Sequence, residues 1–386
     1  MKDLSFYFQP LNPDLASNNP EVLGGQVQMH IHDFPELSKN GVAILAIPEY
    51  EGIDHEVDFG NYLDHIRFEL YELFPKKYWS KKIYDLGTVL PGKTVEDTYH
   101  ALSQIVEELV KNDIIPIIIG GTQDLTIAQF DGYKNLEQLV NLVNIDSMPD
   151  FGQEMRLNAS NYLQYILQRK PNHLFNYSTI GIQHYLVNPN ELDLMEKLYF
   201  DMYRLGEVNA DITKAEPYIR NADLVSMDLL AIRNSDFPQE QFTTPNGFYA
   251  EQMCQLARYA GLSDKMSSFG IYNFVAYPGC DSNNKLVAQI LWHVLDGINS
   301  RFNDYPKSSK SEYTKYRVLL SEFKDEIVFY KSPKSERWWI EIPYHPSKSS
   351  KFERHFMVPC SYDDYKTAQE NEVPNLWWQT YQKIFV

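Results

Sequence analysis

Up to about residue 300, short apolar runs alternate with longer stretches of helical periodicity. "GVAILAIP" (41–48) reads as a buried strand and "TVEDTYHALSQIVEELV" (94–110) as an amphipathic helix. In that helix Leu102, Ile105, Val106 and Leu109 recur at helical spacing, and Thr94 with Asp97 forms a capping-box pattern. A strand at 114–119, a helix from about 124 and a strand in "LVNLVNI" (139–145) follow. "LFNYSTIGI" and "ADLVSMD" (222–228) read as later strands, "YAEQMCQLARYAG" and "KLVAQILWHVLDGI" as later helices. This order predicts a three-layer α/β/α domain over residues 1–300, its mostly parallel sheet covered by helices on both faces.

The remainder, residues 301–386, is of another kind. "RFNDYPKSSK" (301–310) reads as a linker, and "KYRVLLSEF", "EIVFYKS" and "RWWIEIPY" as successive strands of an antiparallel meander. Two helices follow. Ser361 and Asp364 cap the first, and the second starts near Pro374 with an apolar face of Leu376, Trp377, Thr380, Tyr381 and Ile384. This C-terminal appendage carries 14 Lys+Arg against 12 Asp+Glu, so its formal charge is near +2 and that of the preceding 300 residues near −19. Trp338, Trp339, Trp377 and Trp378 mark it as a candidate interaction surface. Consecutive strand residues face opposite sides, so one of Trp338 and Trp339 is expected to be buried and the other partly exposed.

A net charge of −17 argues against nucleic acid or an anionic membrane as the main partner, since both select clustered Lys and Arg. No apolar stretch approaches the ~20 residues a membrane helix needs. Cys254, Cys280 and Cys360 are few, odd in number and match no zinc spacing, as in a reducing compartment. With no signal-peptide pattern in "MKDLSFYFQP", a cytoplasmic protein is expected. "HIH" (His30, His32) precedes the first clear core strand and reads as two exposed loop residues.

In an open parallel sheet, ligands bind beyond the carboxyl ends of the strands. Three strands deliver polar residues there: Gly120, Gly121, Thr122, Gln123 and Asp124 from the first, Asp146 and Asp150 from the second, and Asp228 from the third. Singly, an aspartate after a strand is more often a turn former or helix cap. Together they suggest a site for a hard cation. Gln123 is the anomaly, because an amide is a poor acid, a poor base and a weak metal ligand.

"GGTQ", "DSMPD" and "SMDLL" resemble, in order and separation, the Gly-Gly-Asp-His, Asp-Ala-His-x-Asp and Ser-x-Asp-x-Asp motifs of the ureohydrolases: arginases, agmatinases and formimidoylglutamases. "TTPNGF" (243–248) and "YPGCD" (277–281) resemble two further family elements. The resemblance covers about residues 40–300, with the overall layout most like formimidoylglutamases, and implies an arginase-like fold. It also implies two Mn²⁺ ions, held by two histidines and four aspartates and bridged by a hydroxide that attacks an amidine or guanidine carbon. Asp146, Asp150 and Asp228 keep ligand positions, whereas Gln123, Met148 and Leu230 stand where the family has two histidines and an aspartate. Val275 replaces a substrate-binding glutamate, Arg233 stands where the family has a further aspartate, and no histidine follows Asp150 in "FGQEMRLNASNY".

These substitutions point to a ureohydrolase-fold protein that has lost two-metal hydrolysis and binds a protein partner or small ligand. The alternative is an active formimidoylglutamase- or arginase-like hydrolase of linear amidines with an altered, mononuclear site. The cofactor expectation is none, or one divalent cation (Mn²⁺, Mg²⁺ or Ca²⁺) with Gln123 adding its amide oxygen, rather than a dinuclear Mn²⁺ centre. Failing a cation, Arg156 or Arg233 swinging in, or a protonated carboxyl, would neutralise the cluster. Family resemblance also raises the expectation of a homo-oligomer.

Overall fold

A computed structural model describes residues 1–52, 62–77, 79–136, 138–152, 154–239, 244–274, 281–306, 310–321, 326–343 and 352–385. Its main sheet comprises β1 (Phe8–Gln9), β2 (Gln28–Met29), β3 (Val42–Ile47), β4 (Ile83–Val89), β5 (Ile115–Gly120), β6 (Val140–Ile145), β7 (Leu174–Ile182), β8 (Asp201–Arg204), β9 (Leu224–Asp228) and β10 (Ser268–Tyr272). The order across it is β1-β4-β3-β5-β10-β9-β6-β7-β8, with β2 on β4. Only β1 runs antiparallel to its neighbour.

The central strands are buried on both faces, so they read as continuous apolar runs. One face packs against α1 (Tyr62–Tyr71) and the two long helices Ala250–Leu262 and Asp281–Asn299. The other packs against Val95–Lys111, Thr126–Asp131 and Tyr162–Leu167. The Thr94–Asp97 capping box is formed, with Thr94 Oγ1 accepting the Asp97 amide at 3.2 Å.

A second, antiparallel sheet joins β11 (Thr314–Leu319), β12 (Glu326–Lys331), β13 (Trp338–Glu341) and β14 (Met357–Cys360) in sequence order. Helices Tyr362–Gln369 and Asn375–Phe385 follow, the first closed by the Ser361–Asp364 capping box.

Both Trp338 and Trp339 are buried, at 8% and 1% exposure, which corrects the expectation that one would be open. They do lie on opposite faces, but both faces are covered. Trp338 stacks on Tyr365 of the following helix, whereas Trp339 lies under the Arg220 guanidinium of the main domain, 4.6 Å from the ring centre. Arg220 also donates to the backbone oxygens of Trp338 (3.2 Å) and Cys360 (3.1 Å), tying the second sheet to the first domain. Trp377 is buried too, with Nε1 donating to Glu341 O at 3.1 Å. Of the four tryptophans only Trp378 is exposed, at 42%.

His30 is a further correction. It is buried, with Nδ1 2.9 Å from Leu86 O, because β2 pairs with β4 and delivers it onto that strand, while His32 is exposed.

Candidate functional site

The carboxyl ends of β5, β10, β9 and β6 are adjacent, so the loops after them converge. Beyond β5 the chain passes so close to residues 47–49 that Gly121 N–H donates to Ile47 O (2.8 Å) and Thr122 N–H to Glu49 O (2.9 Å). A Cβ on Gly121 would lie 1.6 Å from Glu49 O, so only glycine fits there. A 3₁₀ turn, Gln123–Leu125, then aims Gln123 into the sheet edge.

Gln123, 1% exposed, is fully engaged. Its Nε2 donates to Asn144 Oδ1 (2.7 Å) and lies 3.4 Å from Ser226 Oγ, its Oε1 accepts from Asn273 Nδ2 (3.3 Å), and its backbone N–H donates to Asn273 Oδ1 (3.0 Å). Asn144 Nδ2 faces Asp146 Oδ2 (3.2 Å) and Asp150 Oδ2 (3.4 Å), and Asn273 Nδ2 donates to Asp228 Oδ1 (2.9 Å). One glutamine and two asparagines therefore link all three aspartates.

Asp146, Asp150 and Asp228 are brought together and buried. Burial raises the pKa of all three. The neighbouring carboxylates push Asp150 up further, and the Asp146 charge does the same to Asp228. Asp150 is held in the left-handed region at φ 54°. No ion pair among the described residues reaches this trio. Arg233 instead pairs with Asp236 (2.8 Å) and covers the Tyr249 ring, and Arg156 pairs with Glu51 (2.8 Å). Neither arginine swings in. Amide N–H groups of Asn144 and Asn273 reach all three carboxyl groups.

Met148 and Leu230, both half-buried, touch the cluster through their backbone: Met148 N–H donates to Asp146 Oδ1 (3.2 Å) and Leu230 N–H to Asp228 Oδ1 (2.8 Å). Asp124 is buried on the far side of the loop, where Tyr99 OH donates to Oδ2, and burial raises its pKa. Val275 lies outside the described residues, as do Thr243 of "TTPNGF" and 277–280 of "YPGCD". Among the described residues no group of three or more His, Cys, Asp or Glu side chains is placed to hold a metal ion.

Sequence reasoning missed Asn144, Ser226 and Asn273. The signal was present in "NLVNI" and "LVSMD", where one polar residue interrupts a buried run and must find a partner across the sheet.

The structure is similar to formimidoylglutamase from Bacillus subtilis subsp. subtilis str. 168 (TM-score 0.64, 14% identity, 75% of this chain and 97% of that one). It is also similar to Trypanosoma cruzi formiminoglutamase with Mn²⁺ (0.60, 16%, 70% and 100%) and to arginase from Bacillus subtilis (0.56, 15%, 66% and 98%). At these identities the likeness is one of fold. No curated protein sequence matches the chain. The arginase family model, however, matches residues 62–295, more than half of the chain. The converging loops thus stand at the carboxyl edge of the sheet in an arginase-like fold, and the chain belongs to the arginase family.

Proposed function

We propose that this is an arginase-family protein that does not perform two-metal hydrolysis and acts by binding a small ligand or a protein partner. The observation that carries this reading is the engagement of Gln123. Its amide joins Asn144 and Asn273 at the centre of the site, so its oxygen is already committed. Two-metal hydrolysis needs ligands that hold both ions, a bound water of lowered pKa and a clamp on the reacting group. Met148 offers a thioether and Leu230 a hydrocarbon, and neither suits Mn²⁺. This donor set does not fit a dinuclear centre, and the three remaining carboxylates are held by amides instead.

The test is a hydrolysis assay on formimidoylglutamate, arginine and agmatine with Mn²⁺ supplied in excess. Product release no faster than with heat-inactivated protein is expected for all three. Sustained turnover of any of them, abolished by Asp228→Asn, would overturn the reading.

A further inference from the structure

At the opposite, amino-terminal edge of the central strands, beside Ile114 and Ile115 at the start of β5, lies a cavity of about 360 Å³. That size falls within the usual range of small-ligand pockets. Lys81, Lys265, Arg301 and Arg354 line it, against the carboxylates Asp113 and Asp264. Lys81 and Lys265 belong to the main domain, whose formal charge is near −19, and Arg301 and Arg354 to the appendage, near +2. With Lys81 and Lys265 on one side and Arg301 and Arg354 on the other, the cavity sits where the two parts of the chain meet.

The cations are not all answered from within. Asp223, buried behind the cavity wall, pairs with Arg354 and lies 3.8 Å from Lys265. Both Asp264 oxygens accept backbone N–H groups, from Asn303 (3.2 Å) and Asp304 (2.8 Å), and Asp113 is exposed. Among the described residues neither Lys81 nor Arg301 makes an ion pair. Arg301 Nε and Nη2 donate to the Gly261 (3.0 Å) and Met266 (2.8 Å) carbonyls, which fixes the plane of the guanidinium. Burial and the Arg301 charge hold the Lys81 ammonium below the usual lysine range, and burial pushes Arg301 down to about 10. The Asp264 charge offsets part of this for both groups, and the two like charges confined together favour a further anion between them.

We propose that this cavity binds a small, non-aromatic phosphate-bearing anion. An arginine held in plane beside a lysine suits phosphoryl oxygens. Among the described residues no aromatic side chain lines the cavity, so none of them offers a platform on which a base could stack. The bound anion would bridge main domain and appendage through Lys81 and Arg301. The site is separate from the aspartate cluster and independent of any metal there.

The experiment is isothermal titration calorimetry of the full chain with sodium pyrophosphate and inorganic phosphate at constant ionic strength. Citrate and sulfate serve as competing anions. Lys81→Met is the first variant, since the Lys81 ammonium makes no hydrogen bond among the described residues and its loss leaves the fold intact. Arg301→Gln, which keeps a donor for the backbone carbonyls, is the second. Pyrophosphate is expected to bind saturably, with each variant weakening it about tenfold and leaving the melting temperature of the free protein nearly unchanged. No binding at about 10 mM pyrophosphate, equal binding by the variants, or equal response to sulfate and citrate would overturn the proposal.

Discussion

Replacing Arg67 by methionine is expected to destabilise the protein by about 3–5 kcal/mol, through the carboxylate it leaves behind. Arg67 is fully buried in α1, where Nε donates to Asp85 Oδ2 at 2.8 Å and Nη2 to Asp85 Oδ1 at 3.2 Å. It also reaches Gly87 O (2.9 Å) and Thr88 Oγ1 (3.3 Å), so one side chain ties the helix to β4. Without it Asp85 keeps only the Tyr71 hydroxyl and the Gly87 N–H, in a place where water does not reach. Scanning calorimetry should show a melting temperature lower by roughly 4–6 °C. Arg67→Met/Asp85→Leu should recover most of the loss, because it removes the unpaired charge as well as its partner. An unchanged melting temperature in Arg67→Met, or no recovery in the double variant, would mean that the pair is not what holds α1 to the sheet.

The second large effect is expected at Gln123. Gln123→Leu keeps the volume and removes the amide, so Asn144 Oδ1 and Asn273 Nδ2 each lose a partner inside the protein. At ~1–3 kcal/mol for each of the two buried groups that lose a partner, the loss should total about 2–6 kcal/mol. Added Mn²⁺ should not restore it, since the network is built from amides and not from metal ligands. Urea denaturation of both proteins, with and without Mn²⁺, measures this. A variant as stable as the parent would show that the network contributes nothing. A Mn²⁺-dependent rescue would show that a cation holds the three aspartates.

The strands that carry the site were legible in the sequence because they are buried on both faces and therefore nearly all apolar. β3, β5, β6, β7 and β9 read directly, and the glycines ending β5 marked where a loop must pass close to its neighbour. β4, β8 and β10 did not. β4 reads "IYDLGTV", and its Asp85 is acceptable only because Arg67 answers it from a distant helix. β8, "DMYR", and β10, "SFGIY", are short and broken by polar residues or glycine. That Gln123, Met148 and Leu230 differ from the ureohydrolase motifs they resemble was equally plain from residue type. How Gln123 is held was not: the Asn144–Gln123–Asn273 chain links the ends of three strands and depends on tertiary register. Trp338 and Trp339 were misjudged for a similar reason. Strand periodicity placed them on opposite faces, but it could not reveal that a helix covers one face and Arg220 the other.

The proposal that no dinuclear centre forms is tested most directly by elemental analysis of the full chain, loaded with excess Mn²⁺ and then exhaustively dialysed. Wild-type protein should retain well under one Mn per chain, with no difference between it and Asp228→Asn. Two Mn per chain in the wild type, lost in Asp228→Asn, would contradict the account.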